Sequence, residues 1–577
     1  MWRIIARITT LFAVVIGVSQ AAQAATLDVC LDGSCTYSDI KSAVVAASPG
    51  DTITVGPGVY ALSSQILINK PLSIVGAGAG QTIIDGGLAN INGTSTDGMI
   101  RVHTSRDGPI NLSGFTVKNF SRKNASAIRV GIMVRSNATN VFPNTYPVNL
   151  SHIETVGSAL VDTAPDYGIY VAGIATHPEP PITLDHIKTS GHRSNSILIE
   201  DWRSDITLTD SELNEGPTGS TSLFIGHGVP LDGPNLGKIT IDNNKFIGRG
   251  IAVSQTAPGR VNGGWNDIEI TNNQITGLDN TDTGIAIQAP AAAGTGQSIE
   301  SLVVEGNFIQ GAGYSLSDPS HRTYGIRLTG AMDTASVRSN EIIGTNLAVR
   351  SSSNASGSPA LTVAQNRLAS NEIGVENTSN IPVLAPANWW GCSDNPHNNP
   401  ICANTSENPG DVVIDTWVVR TNDAPSTLES GQTITINFMF NTLDTGDSVT
   451  LPTSTHEISS VTFTAPDVDS PQDITTGADG INTNDWSWLG EAINITVTPP
   501  APPVNPPAAP PVEPDSPKTE NIAIPGVPNT GIGQFMSIDK PNTLSILIAI
   551  FTVSTVGAIL SYTGHLLSRA TPKNTRS

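Results

Sequence analysis

Apolar and polar residues alternate in short runs that recur along the middle of the chain. Five blocks superpose: ITIDNNKFIGRGIAV (239–253), IEITNNQITGLDNTDTGIAI (268–287), LVVEGNFIQ followed by GIRL (302–310 and 325–328), ASVRSNEIIGTNLAV (335–349) and LTVAQNRLASNEIGV (361–375). Alternation predicts strands, not helices. Each block places an Asn five residues after its start, giving Asn244, Asn273, Asn307, Asn340 and Asn366 at steps of 29, 34, 33 and 26 residues. Self-similarity at this period predicts a solenoid whose coils bury one another.

Four earlier coils share the register, starting at Ile110, Val148, Ile182 and Ile206, with Phe115, Ile153, Ile187 and Ser211 at the Asn position. The inside of the stack therefore changes from apolar to amide. Stacked Asn side chains, one strand spacing or about 4.8 Å apart, can bond to each other along the axis. The five Asn are read as structural. A second alternating strand aligns Ile132, Ile169, Ile197, Leu223, Ile251, Ile285 and Ile326 on one face as core. Its other face carries Met133, Tyr170, Leu198 and Phe224, then Ala252, Ala286 and Arg327. Met133, Tyr170, Leu198 and Phe224 form a candidate ligand face, with two readings: a patch covered by the long neighbouring loops, or an open groove that stacks sugar rings.

Ahead of the solenoid, residues 36–47 have helical spacing, with Ser38 as candidate cap. Short strands follow at 52–55, 65–68, 72–75 and 82–84. The run from Tyr37 to Gly86, with SPGDTITVGPGVY inside it, resembles the entry to right-handed parallel β-helix proteins of the pectate-lyase-like superfamily. The resemblance implies the fold over roughly residues 30–400 and leaves activity open. Asn388-Trp389-Trp390-Gly391 resembles the end motif of surface β-helices, with both Trp covering the last coil.

The domain plan is a signal peptide (1–24), an N-terminal cap with a helix (25–48), the β-helix (49–404), a small immunoglobulin-like β-sandwich (411–498), a Pro-rich linker (499–542), a transmembrane helix (543–565) and a basic tail (566–577). The signal has Arg3 and Arg7, the apolar run Leu11–Val18 and a small-x-small site at Ala22–Ala24. Residues 543–562 are uncharged and mostly apolar, and a helix of that length spans about 30 Å, enough for a bilayer. Arg569, Lys573 and Arg576 behind it argue for a cytoplasmic end. Val527-Pro528-Asn529-Thr530-Gly531 resembles the Leu-Pro-x-Thr-Gly sorting signal of Gram-positive surface proteins. That resemblance implies a sortase partner and cleavage between Thr530 and Gly531; the alternative is an ordinary membrane anchor.

Composition narrows the partners. A net charge of −21 disfavours nucleic acid, which is held by Lys and Arg on phosphates. An acidic polysaccharide would need a cation or a local basic groove. The four Cys fall in two close pairs, Cys30/Cys35 and Cys392/Cys402, which in an exported chain predicts two local disulfides.

Catalytic signatures are sparse. Gly226-His227-Gly228 and Asn280-Thr281-Asp282 resemble pieces of the polygalacturonase signature, but in reversed order and without a paired Asp. Asp201 and His227 share a register position in successive coils, with Glu200 adjacent, and are the candidate acid–base pair. No metal site and no cofactor are expected; Ca²⁺ is left open, with no motif in its support. The sequence favours a non-enzymatic surface protein that binds carbohydrate or another cell. The alternative is a tethered polysaccharide lyase or glycoside hydrolase.

Overall fold

The computed structural model describes residues 24–501 apart from the stretches 89–97, 105–106, 121–127, 137–145, 158–164, 174–178, 215–220, 227–236, 255–266, 280–281, 290–298, 314–321, 353–360, 398–401, 403, 408–410, 455–459 and 477–492. Residues 1–23 of the signal, 502–542 of the Pro-rich linker with Thr530 and Gly531, and the membrane span lie outside the described residues. Among the described residues no helix is long and apolar enough to cross a membrane.

The alternating runs stack as a parallel β-helix. Each coil supplies a first strand, a tight turn, a second strand and, after a loop, a third. First strands pair in register through Ile110, Val148, Ile182, Ile206, Ile239, Ile268 and Leu302. Third strands form a 12-stranded parallel sheet, and its inward column is the one the alternation selects. Ile132, Ile169, Ile197, Leu223, Ile251, Ile285 and Ile326 are all at 0% exposure. Each such side chain contributes about 1.5–3 kcal/mol by leaving water. Purely parallel strands need both faces served, and here the interior supplies one.

The turn between first and second strands is set by one residue in the left-handed region. In successive coils it is Gly114, His152, His186, Asp210, Asn243, Asn272, Gly306, Ser339, Gln365 and Ala387, with φ between 51° and 74°. The next residue points inward and is the Asn position.

The N-terminal helix is shorter than the 36–47 spacing suggests. It runs Ile40–Ala46 and is capped by Asp39, not Ser38: the Asp39 carboxylate accepts the Ser42 N–H at 2.8 Å. The chain before it is already used, since Tyr37 pairs through its backbone with Asp28 and Cys30. Ile40, Ala43 and Val44 close the first coil.

At the other end the solenoid passes the 404 boundary. Val412–Val413 stacks in parallel on Val383–Leu384, and Trp417 bridges to Asn388. The two Trp also divide their work. Trp390 lies in the solenoid core, whereas Trp389 packs outward with Ala369 and Val418, its ring 4.9 Å from Phe440. The Trp389 surface is thus covered by the next domain and not by a local lid.

That domain has two three-stranded sheets. One holds Val418–Asn422, Thr433–Leu443 and Ser460–Thr464; the other holds Thr427–Glu429, Ile493–Thr498 and Gln472–Thr476. Leu428, Ile436, Phe438, Ile495 and Val497 fill the space between them. Residues 448–451 form an extended stretch with one bridge, Thr442 to Ser448; Val449 and Leu451 pack on the Trp389 cluster. Arg367 fixes the junction: its Nε donates to the Pro452 carbonyl at 2.7 Å and its guanidinium lies 4.8 Å from the Phe440 ring. Burial pushes the Arg367 pKa down to about 10, against the opposing pull of Glu341.

Candidate functional site

The outer face of the third-strand sheet collects the sequence-selected ligand residues. Register runs Leu67, Arg101, Met133, Tyr170, Leu198, Phe224, Ala252, Ala286, Arg327, Arg350 and Glu376, one residue per coil. Met133 and Leu198 are buried, while Tyr170 and Phe224 are half-exposed. The candidate face is therefore split: its aliphatic members are covered and its aromatic ones are presented. Phe224 lies along the strand over Gly226, where a Cβ would come 2.3 Å from the ring. Any larger residue at 226 would lift the ring off the sheet. Beyond Phe224 the floor is made of Ala252 and Ala286. Past it, Arg327 and Arg350 stand 5.6 and 5.5 Å from the Tyr324 ring. Arg350 also donates to the Tyr324 hydroxyl at 3.0 Å and pairs with Glu376 at 2.9 Å.

Glu200 is on this face, but its partner is Tyr170, whose hydroxyl donates to the Glu200 carboxylate. Burial first, and then the Glu200 hydrogen bond, raise the Tyr170 pKa well above its ordinary value. At the upper end of the same face, burial followed by Arg101 and Arg135 pushes His103 down. Asp201 sits just past the strand in the left-handed conformation, φ 55°, with its N–H on the Gly226 carbonyl. His227 lies outside the described residues, so the Asp201–His227 pair is not placed. Of the second signature piece, Asp282 is nearly buried, paired with Arg249 and accepting the Asp279 N–H at 2.7 Å. That is a turn-closing role.

Asn244, Asn273, Asn307, Asn340 and Asn366 form one column. Each Oδ1 accepts the backbone N–H of the preceding ladder residue at 2.9 Å. Each Nδ2 donates to the next Oδ1 at 2.9–3.0 Å. The column extends further than the five. Asn388 continues it, and Ser211 begins it by accepting the Ile187 N–H at 2.8 Å. Repeat alignment missed Asn388 because it belongs to a truncated coil. Both Cys30–Cys35 and Cys392–Cys402 are disulfides.

Two His clusters escaped linear reading. His192 is fully buried, stacked on Phe120 at 5.6 Å and 3.0 Å from the Thr155 hydroxyl. Burial pushes its pKa down to about 4, although Asp166 and the Thr155 carbonyl pull it up. On the surface, His152, Asp185 and His186 offer ligand atoms within 4.8 Å of one another. They meet because the His residues occupy the same turn position in adjacent coils. The signal was present in VNLSHI and ITLDHI, which carry His at the same place.

By geometry the class is clear: the described chain is a parallel β-helix protein with a two-sheet β-domain docked on its last coils. No protein-family model and no curated protein matches the chain. Among solved structures it is similar to the A-module of mannuronan C-5 epimerase AlgE4 from Azotobacter vinelandii, at 13% identity over 66% of this chain and 93% of that one, TM-score 0.35. It is also similar to a tailspike protein of E. coli bacteriophage HK620, at 11% identity over 69% and 78%, TM-score 0.37. A third is the pre-mature gene product 12 of bacteriophage phi29, at 14% identity over 61% and 50%, TM-score 0.38.

Proposed function

We propose that this chain is an exported surface protein that presents the outer face of its third-strand sheet to carbohydrate. The supporting observation is the in-register row of half-exposed Tyr170 and Phe224, the Ala252–Ala286 floor, and Arg327 and Arg350. A flat aromatic ring takes the apolar face of a pyranose. Arginine pairs with carboxylates in a planar fork. Steps of one strand spacing, about 4.8 Å, make the row an extended track suited to a linear chain. Arg101, Arg135 and Arg327 on this face offset the net charge of −21 locally, Arg350 being matched by Glu376, so an acidic glycan is acceptable there.

In this reading the signal-like segment 1–24 exports the protein. An immunoglobulin-like sandwich and the Pro-rich spacer hold the solenoid out. The Val527–Gly531 motif and the apolar span after it supply the anchor, by a sortase or directly in the membrane. A second reading, a tethered lyase or hydrolase, draws on the Tyr170–Glu200 pair, a phenol held protonated against a carboxylate on the same face.

A panel of neutral and uronic-acid polysaccharides with product detection separates them. Binding without turnover supports display. New reducing ends or unsaturated uronate products would overturn it in favour of an enzyme, and the absence of both binding and turnover would reject both. Phe224→Ala should weaken binding roughly tenfold, the worth of one stacked aromatic.

A further inference from the structure

Away from the carbohydrate face, at the turn between first and second strands, two adjacent coils bring a His onto a His. His152 and His186 follow paired strands in which Ser151 aligns with Asp185. Both sit in the left-handed region, φ 53° and 51°. Their rings stack at 4.5 Å between centroids and 7° between planes. Asp185 precedes His186, and its Oδ2 lies 2.9 Å from His186 Nδ1. The other carboxylate oxygen accepts the Thr209 hydroxyl at 2.9 Å, which orients the carboxylate from the next coil. Both imidazoles are exposed, so each can turn about its own side-chain bonds without disturbing the core.

We propose that His152, His186 and Asp185 form a surface site for a borderline divalent cation of the Zn²⁺ class, with three protein ligands and at least one open position. A tetrahedral ion at about 2.0–2.1 Å from its ligands separates them by roughly 3.3 Å. The three ligand atoms here already lie within 4.8 Å of one another. Closing that difference needs only rotation of the exposed rings. Two nitrogens and one oxygen select Zn²⁺, Ni²⁺ or Cu²⁺ over Ca²⁺ and Mg²⁺, which take all-oxygen shells. The Thr209 hydroxyl on the second carboxylate oxygen is the outer-shell partner such sites require. The ion would clip two successive coils at the point where neither an Asn ladder nor a disulfide joins them.

The test is calorimetric titration of the metal-stripped, full-length chain with Zn²⁺, beside His152→Asn and His186→Asn. Asn tolerates the left-handed conformation, so both variants keep the turn and lose the imidazole; far-ultraviolet circular dichroism checks that they fold. One equivalent of Zn²⁺ should bind the parent chain. Each variant should lose at least tenfold in affinity for that equivalent, and excess Ca²⁺ should not compete. Cu²⁺ in the same site should show hyperfine coupling to two nitrogens in the parent and to one in either variant. Absence of Zn²⁺ binding to the parent, unchanged binding in the variants, loss in only one of them, or displacement by Ca²⁺ would overturn the site.

Discussion

The two halves of the solenoid use the same turn and fill it differently. In the first half, Phe115, Ile153 and Ile187 point inward from it and are buried at 0–1% exposure. In the second half, Ser211 and the Asn column occupy that place. The backbone does not register the change, since the left-handed residue is present in both. Turn geometry is therefore a property of the coil, and the inward residue is free to be chosen for how it connects to its neighbours. Apolar residues contribute by area, each largely on its own. Amides contribute as a chain, in which each satisfies groups on the coils either side.

The largest expected effect is a break in that chain. Asn307→Leu would leave the Asn273 N–H without its acceptor, strip Asn273 Nδ2 of one of its two acceptors (the Ile241 carbonyl remains), and remove the Nδ2 donor from the Ile270 carbonyl. At about 1–3 kcal/mol per buried unsatisfied group, with partial relaxation, the cost should be about 4 kcal/mol. Ile153→Val, at the matching place in the apolar half, should cost about 1 kcal/mol. Denaturant unfolding of both variants checks the contrast. Equal costs would mean that the ladder is no more than another row of packed side chains.

The second effect is smaller and depends on pH. The two described His residues with lowered pKa, half-buried His103 and fully buried His192, both belong to the first half. His192 titrates near 4 in the folded chain against an ordinary 6.5. Between those values the unfolded chain binds the proton and the folded chain does not, so stability is full above about 6.5 and falls as pH drops towards 4. Amides do not titrate in this window. Hydrogen exchange, corrected for intrinsic rates, should show the coils around Thr155 and Ile197 losing protection with acid before those around Asn273 and Asn307. Uniform loss along the stack would remove the asymmetry.

The sequence carried this comparison further than it carried the site. Period-two alternation with a fixed inward column is a strong signal, because a one-residue slip would turn every Ile to solvent. The ladder followed from the same register. Asn388 was missed at one end because its coil is truncated, and Ser211, although aligned at the Asn position, was not read as part of the ladder because it carries a hydroxyl where the others carry an amide. The ligand face was legible as a row, but not as exposed or covered, since the alternation does not say what lies over Met133 and Leu198. Trp389 was assigned to the wrong neighbour because Phe440 reaches it from a domain that the repeat does not include. The His152–His186 pair was hidden by reading ligand spacing along the chain when the fold measures it across coils.

The smallest effect tests the junction itself. Ser211 accepts the Ile187 N–H at 2.8 Å, gives its own hydroxyl proton to the Thr209 carbonyl, and donates its N–H to Asn244. It is a ladder residue with one arm missing. In Ser211→Asn the new Oδ1 would take the Ile187 N–H. The new Nδ2 would reach Asn244 Oδ1 and the Leu184 carbonyl, the register equivalent of the Leu208 carbonyl that Asn244 already uses. The gain should be about 1 kcal/mol, the net worth of an added buried hydrogen bond. Ser211→Ala should lose a similar amount by leaving the Ile187 N–H without an acceptor. Thermal unfolding of the two variants against the parent reads both signs at once. If Ser211→Asn destabilises, the Ile187 side chain occupies the space an amide needs, and the boundary between the halves is set by packing and not by hydrogen bonding.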